Sequence, residues 1–427
     1  MSHLTLAPFL FVALVLNSCV TRSSEVSSEL TAETTEEMAS DLNGLKAYLD
    51  MLGTESKSNF PGGLEIHLHP DLDQYGPFSH VCKMQDDTRY YAVQGTQSGT
   101  VFFNYTDIET QFFPGAPSHW RECRSYNHLS GNTYAYVVTE GDREKDKPVF
   151  TPEYPGGIQI FKLEKDGVKL VNTYVGNFNS AHTIFIDTER GLAFVNGSNW
   201  RGDVLEHHQE HKNHLGGLQI LDLATDPEKP RYLGSYSASY THDSYALGEV
   251  DISGRKAYIV YLADIFGGYI RVLDVSDPGK PVLLHSVHAP MHNQGYSVHN
   301  VWASEDKQWL FATEETEGSS LLVYDISNPV KPRFVSAYRN ELVADDSIIH
   351  NVVIKGKIAY CSWYKEGVRL IDISNPVHPK EVAFFDSSFK DFGNSPFHGN
   401  WSVDVDDRGL VMISDIEEGL FILRRIQ

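Results

Sequence analysis

The sequence predicts an all-β fold, a seven-bladed β-propeller of four-stranded antiparallel blades that an N-terminal strand closes. Three observations support this. A strand-turn-strand segment recurs about every 50 residues in the second half of the chain, which suits one propeller blade. A histidine marks seven strand starts, and the last repeat ends one strand short of a full blade.

Four copies of the recurring segment share one pattern: an apolar run that ends in Asp, a turn with Asp-Pro or Asn-Pro, and a second run. The β-branched residues of the first run favour a buried strand. The Asx side chain and the fixed φ of proline favour the turn. Two more apolar runs precede each copy, so each repeat supplies four strands. The copies are LQILDLATDPEKPRYLGSY from Leu218, IRVLDVSDPGKPVLLHSV from Ile270, LLVYDISNPVKPRFVSAY from Leu321 and VRLIDISNPVHPKEVAFF from Val368.

The blade number comes from a histidine at the start of each first strand. The seven histidines are His80, His119, His182, His242, His299, His350 and His398. Because the last repeat ends after three strands, a complete ring needs one more strand from elsewhere in the chain. The segment GGLEIHLHP, residues 62–70, is predicted to supply it.

The N-terminal residues predict a protein that leaves the cytoplasm. The apolar run from Leu4 to Leu16 is too short to span a bilayer comfortably and is typical of a signal peptide. The stretch around Cys19 also resembles a lipoprotein cleavage site, so lipidation of Cys19 is an alternative to free secretion. The predicted parts are a signal peptide or lipoprotein leader at 1–21, an acidic Ser/Thr/Glu-rich spacer with a short helix at 22–60, and the propeller at 61–427.

The charge balance restricts the partners. With 35 basic and 57 acidic residues the formal net charge is −22, which repels phosphate backbones and disfavours nucleic acid. We expect a protein, carbohydrate or small-molecule ligand, and no transmembrane span in the mature chain.

Cysteines and sequons give weaker predictions. Cys82 and Cys123 each lie near the start of a first strand, so they form either a disulfide or two separate buried thiols, whereas Cys361 is predicted to be core. Glycosylation sequons begin at Asn104, Asn196 and Asn400.

The pentads LQILD, IRVLD, LLVYD and VRLID resemble the motif for which LVIVD-repeat proteins are named. The wider stretch from SHWRECRSY through SAHTIFID and YTHDSYAL is similar to the choice-of-anchor B type of that family. This resemblance covers roughly residues 75–426 and implies a secreted or surface-attached propeller. It implies little about chemistry, since the family has no generally assigned activity.

Propeller topology places the candidate site. The links between blades and the connections from second to third strands lie on one face, so histidines and acidic residues should meet there. The candidates on this channel face are His119, His182, His242, His299, His350, His398, Glu140, Asp264, Glu314 and Asp415, with Glu315 beside them. The sequence therefore predicts a binding or scaffold module with its ligand on this face. The alternative is a metal-dependent hydrolase or lyase at the channel mouth.

Two roles are open for the histidines. They either bond to neighbouring backbone and hold the links, or bind a divalent metal ion, the cofactor that this residue set would fit. Candidate ligands are His182, His242, His299, His350 and His398, or His207 and His211 in the loop DVLEHHQEHKNH.

Overall fold

The computed structural model describes residues 63–141, 150–198, 216–290, 298–340, 344–388 and 395–426. These residues form seven four-stranded antiparallel sheets and one turn of 3-10 helix, Asp73–Tyr75. The seven-bladed propeller predicted from the sequence is confirmed. Across the described ranges, no helix is long and apolar enough to cross a membrane.

Six blades are built from four consecutive strands, and the seventh borrows one from the N-terminal side of the chain. Blades one to three are β2 Phe78–Gln85, β3 Tyr90–Thr96, β4 Gly99–Asn104 and β5 Glu109–Pro114; β6 Arg121–Asn127, β7 Thr133–Thr139, β8 Ile158–Glu164 and β9 Gly167–Tyr174; β10 Thr183–Asp187, β11 Leu192–Ser198, β12 Gly217–Asp222 and β13 Arg231–Tyr236. Blades four to six are β14 Asp243–Ile252, β15 Arg255–Asp264, β16 Tyr269–Asp274 and β17 Val282–His288; β18 Val298–Ala303, β19 Trp309–Glu314, β20 Leu321–Asp325 and β21 Arg333–Tyr338; β22 Val352–Lys355, β23 Ile358–Ser362, β24 Val368–Asp372 and β25 Lys380–Phe385. Blade seven is β26 Asn400–Val405, β27 Val411–Asp415, β28 Gly419–Arg425 and β1 Leu64–Leu68.

The first strand of each blade faces the axis. First strands of consecutive blades contact one another from β2 through β26 and back to β2, so they form a closed inner ring. Apolar side chains of the middle strands fill the space between blades, as where Ile259 and Tyr261 pack with Leu310 and Leu322. Burial on both faces explains why these strands are continuous apolar runs.

The strand that closes the ring is β1, inside the segment predicted for this role. It pairs antiparallel with β28, with Leu64 opposite Arg425 and Glu65 opposite Arg424. The His69 ring stacks on Phe421 with centroids 3.9 Å apart. The edge of β28 is therefore covered, so the last blade has no open edge there.

The repeated aspartate caps the turn that follows the third strand. In blade five, Asp325 accepts the backbone N–H of Ser327 at 2.9 Å and pairs with Arg333 at 2.7 Å. The same carboxylate-to-N–H bond two residues on occurs at Asp222, Asp274 and Asp372. In blade one, Asn104 takes this place and accepts the N–H of Thr106 at 3.0 Å. The repeated aspartate therefore stabilises the turn between the third and fourth strands of a blade.

The three sequon asparagines are buried, which contradicts the prediction of glycosylation there. Asn104 is 3% exposed, and Asn196 and Asn400 are 0% exposed. Asn104 caps a turn, and the Asn196 amide donates to Thr183 Oγ1 at 3.0 Å. A glycan acceptor must lie on the surface, so the folded propeller offers none of these amides for modification.

A disulfide joins the first two blades. Cys82 in β2 and Cys123 in β6 are bonded, with Cα atoms 5.8 Å apart. These strands are neighbours in the inner ring, which brings the two thiols together. Cys361 is a free, buried thiol in β23.

Candidate functional site

Four histidine rings lie side by side where blades three to six begin. We call this set, His182, His242, His299 and His350, the histidine arc. Neighbouring ring centroids are 4.0–4.3 Å apart. Trp401 of blade seven continues the row 4.1 Å from His350, and Trp120 stacks on Trp401 at 4.3 Å. The rings line the mouth of the central channel.

Hydrogen bonds between blades hold the arc in place. The Nδ1 atom of His242 lies 3.0 Å from the carbonyl oxygen of His299, and Nδ1 of His299 lies 2.9 Å from that of His350. His350 Nδ1 lies 2.6 Å from the carbonyl oxygen of Trp401. Because a carbonyl oxygen only accepts, each Nδ1 carries the proton and each Nε2 keeps a free lone pair. The arc therefore ties blades four to seven together and presents unprotonated nitrogens.

Burial keeps these three imidazoles neutral. His242, His299 and His350 are 5%, 3% and 2% exposed. Loss of solvation, with smaller effects from neighbouring histidines, holds the pKa of each well below its ordinary value. Neutral imidazole is the form that binds metal ions.

His182 behaves differently because it faces a carboxylate. Its Nδ1 lies 3.0 Å from Glu140 Oε2. Burial lowers the pKa of His182, but Glu140, with help from Glu122 and Glu315, outweighs burial and raises this pKa above its ordinary value. At the His182 end the arc therefore favours an imidazolium, whereas His242, His299 and His350 stay neutral.

Glu315 is the carboxylate that reaches the middle of the arc. Its Oε2 lies 3.8 Å from His299 Nε2 and its Oε1 lies 3.8 Å from His350 Nε2. The Tyr364 hydroxyl donates to Oε1 at 2.6 Å and fixes the orientation of the carboxylate. Burial raises the pKa of Glu315.

In blades one, two and seven, the histidine near the first strand is not part of the arc. The Ser79 hydroxyl donates to the Arg121 carbonyl oxygen at 3.0 Å, as His299 does to His350, and Trp401 accepts from His350. Serine, arginine and tryptophan therefore occupy the position in these blades. His80, His119 and His398 lie beside it in sequence: His119 is exposed, and His398 bonds to Ser388.

Of the predicted acidic candidates, too, some contact the arc and others do not. Glu140 contacts the arc through His182. Asp264 instead pairs with Arg271, and Asp415 accepts from the Ser387 hydroxyl at 2.6 Å. Burial raises the pKa of Glu314 to about 7, while its sequence neighbour Glu315 contacts the histidines. The sequence placed both Glu314 and Glu315 on the channel face, and it is Glu315 whose carboxylate lies next to the histidines.

A second polar cluster lies in the inner strands and was missed from the sequence. Glu122 pairs with Arg124 at 3.0 Å, and Arg124 bonds to His80 Nε2 at 2.5 Å. Burial, which Arg124 opposes and Asp243 reinforces, raises the pKa of Glu122 to about 8. The available signal was the pair Glu122 and Arg124, two charged residues at alternate positions in the first-strand segment RECRSY.

The space between the arc and the two tryptophans is small. About 10 Å³ is open to the centre of a water-sized body among Trp120, Trp401 and the arc, which is room for one or two atoms. Trp120 is 37% exposed and lies toward solvent. The loop histidines His207 and His211, and Cys19, lie outside the described residues.

A buried carboxylate near this face gives a pH prediction. Burial raises the pKa of Asp386 to about 6, with Ser388 and Arg369 lowering it and Glu366 raising it. The folded protein thus holds a proton that the unfolded chain releases near about pH 3.9, so stability falls as the pH rises from about 4 to 6. Asp386→Asn should raise the free energy of unfolding by about 1–3 kcal/mol at pH 8 and change it little at pH 4.

Urea unfolding at pH 3, 4, 6 and 8 tests this, and Asp325→Asn is a control whose effect on stability has the opposite sign. The Ser327 N–H and hydroxyl, with Arg333, lower the pKa of Asp325. Its contribution is present above the unfolded pKa and is lost as the pH falls through the folded one. Asp325→Asn should therefore lower stability at pH 8, and the loss should shrink in acid. A gain for Asp386→Asn that does not depend on pH would contradict the assignment.

Comparisons with known proteins agree with the fold. A family model described as LVIVD repeat matches residues 248–289, 316–340 and 349–387. Similar solved structures include the β-propeller domain of Cps50 (Swd1) from Myceliophteria thermophila, at 10% identity and a TM-score of 0.55, over 85% of this chain and 100% of that one. The WD40 repeats of RRP9 align at 11% identity and a TM-score of 0.52, over 85% of this chain and 98% of that one. At these identities the likeness shows the fold alone, and no curated protein matches the sequence.

Proposed function

We propose that this propeller, in which the LVIVD repeat model matches three stretches between residues 248 and 387, is an extracellular binding module whose ligand face is the histidine side of the channel. The ligand that this face suits best is a neutral carbohydrate. The observation that carries the proposal is the exposed aromatic surface at the channel mouth. Propellers host unrelated functions, so the surface rather than the fold must supply the argument.

Two aromatic side chains form this surface. Trp120 is 37% exposed, with one ring face on Trp401 and the rest toward solvent. Phe397, 51% exposed, packs edge-on against Tyr364, whose ring lies 5.8 Å from Trp401. Large aromatic rings supply flat apolar area with few rotatable bonds, and the C–H face of a sugar ring stacks on such a plane.

Charge narrows the sugar class. The net charge of −22 repels sulfated and uronic-acid chains, because their charges have the same sign as the protein. Neutral or amino sugars meet no such repulsion. The buried carboxylates near the mouth, among them Glu140 and Glu315, add acceptors for hydroxyl or ammonium groups close by.

An extracellular location is supported by two observations. The N-terminal apolar run has the length of a signal-peptide core. The disulfide between Cys82 and Cys123 is a bond typical of oxidising compartments.

Binding to an array of neutral, amino-sugar and sulfated glycans tests the proposal. We expect neutral or amino glycans to bind, and Trp120→Ala and Phe397→Ala each to weaken binding at least tenfold. The matched control is Leu129→Ala, which removes a 92% exposed side chain from the β6–β7 turn on the opposite face. Absence of any bound glycan, or equal loss in the Leu129 variant, would overturn the proposal.

A metal-dependent hydrolase or lyase is the second candidate, and the contacts of Glu315 with His299 and His350 favour it. The open space beside His299 and His350, about 10 Å³ among the arc, Trp120 and Trp401, is too small for an organic substrate. Binding therefore fits the described residues better than catalysis at this point of the channel.

A further inference from the structure

Three side chains at the middle of the histidine arc are arranged as ligands of one ion. One ligand atom each from His299, Glu315 and His350 lies within 4.8 Å of the other two. The two Nε2-to-carboxylate distances are both 3.8 Å. Ligand atoms bound at about 2.0–2.2 Å in a tetrahedral site lie about 3.4 Å apart, so a small inward movement of the side chains would complete the geometry.

The protons are where a metal site requires them. The Nδ1–H groups of His299 and His350 are used by backbone carbonyl oxygens at 2.9 and 2.6 Å. This bond fixes the ring orientation and leaves Nε2 as the metal-binding atom, the arrangement that supports histidine ligands in metalloproteins. The same bond from His242 to His299 leaves a third Nε2 in the arc.

One of the three groups, the His350 imidazole, has a buried nitrogen without a partner in the described part of the chain. His350 is 2% exposed and its Nε2 has no hydrogen-bond partner among the described residues. The 3.8 Å separation from Glu315 is too long for a hydrogen bond. A buried polar atom without a partner costs about 1–3 kcal/mol, so an ion bound at His350 Nε2 would remove this cost.

We propose that His299 Nε2, His350 Nε2 and the Glu315 carboxylate bind one divalent transition-metal ion of the zinc type at the channel mouth. Two imidazoles and one carboxylate suit zinc and its first-row neighbours, whereas calcium and magnesium prefer oxygen ligands. The Tyr364 hydroxyl, 2.6 Å from Glu315 Oε1, is the group that positions the carboxylate. His299 and His350 also line an open space of about 10 Å³ under Trp120 and Trp401, which has room for one water beside such an ion.

The ion deepens the proposed function, because it lies beneath the Trp120 surface on the same face. Only the role of the ion in ligand binding rests on the proposed function; the metal site itself is argued from the three side chains. As an added positive charge under the rim, it would favour ligand hydroxyl oxygens at the mouth.

Metal analysis and calorimetric titration of the purified full chain with zinc test the site. After chelator treatment, the wild-type protein should bind one zinc ion per chain, and zinc should raise its unfolding temperature by about 3 °C or more. Glu315→Gln keeps the size of the side chain and the bond from Tyr364 but removes the charge. It should weaken zinc binding at least tenfold and abolish the thermal shift. His350→Ala should remove binding.

Two controls separate this site from others. His119→Ala changes an exposed histidine outside the arc and should keep full binding. A double change of His207 and His211 to Ala should also keep it. Wild-type protein without stoichiometric zinc, Glu315→Gln with unchanged affinity, or loss of zinc in the loop variant would each overturn the proposal. Glycan binding without zinc would leave the proposed function standing, and zinc binding without glycan would leave only the metal site.

Discussion

A chain that lacks residues 64–68 should lose the cooperative unfolding of the intact propeller. Strand β1 covers the free edge of β28, and Leu64 is 3% exposed. Removing the strand leaves unpaired backbone groups on β28 and exposes apolar area worth about 1.5–3 kcal/mol for each fully buried side chain. Leu64 is the one fully buried side chain of this strand, so its loss together with the lost strand pairing removes a substantial part of the about 5–15 kcal/mol that stabilises a typical domain.

Circular dichroism during thermal unfolding measures this effect, and a peptide of residues 62–70 supplies the control. Added in trans, the peptide can pair with the free edge by strand addition and should restore part of the lost unfolding temperature. A scrambled peptide should not. In the point variant Leu64→Ala we expect a loss of about 2–4 kcal/mol. An unchanged unfolding midpoint in the deleted chain would show that β1 does not stabilise the ring.

Breaking the disulfide between blades one and two should have the second large effect. The bonded cysteines are 41 residues apart, and closing a loop of that length restricts the unfolded chain by about 4 kcal/mol in the chain-entropy account. The double variant Cys82→Ala, Cys123→Ala should lose about this much free energy of unfolding. Urea unfolding with and without a reducing agent provides the measurement.

The responses of the wild-type protein and two variants to the reducing agent provide the control. Wild-type protein should become less stable when reduced, and the double variant should not respond. Cys361→Ala changes a buried free thiol, so it should keep the full response of the wild type. If reduction leaves the wild-type protein unchanged while Cys82 and Cys123 react with a thiol reagent on unfolding, the bond contributes nothing to stability.

Much of the fold could be predicted because its information is local. The run LLVYD carries β-branched and apolar side chains for a strand buried on both faces, and Asp325 with the proline that follows specifies the turn. Four blades carry this repeated segment in full, and the seven histidines near the first strands supplied the number of blades. The missing fourth strand of the last blade was equally readable, since three strands leave one edge to cover.

The candidate site could be predicted only in part. His182, His242, His299 and His350 come together as expected because they begin consecutive inner strands. The choice of Glu315 over Glu314 was not readable, because adjacent residues differ only in the direction that the backbone gives them at the strand end. The exposed position of His119 depends on the path of its link.

The sequence by itself determined the repeated strands, the turns between them and, through the histidines near the first strands, the number of blades, because each of these signals depends on residues close together in the chain. Only the tertiary structure decided which polar groups meet at the axis. Those contacts join residues from different blades, as where His350 reaches the Trp401 carbonyl oxygen and Glu315 lies between two imidazoles. Ring closure sets their distances, and no local pattern encodes a distance across the ring.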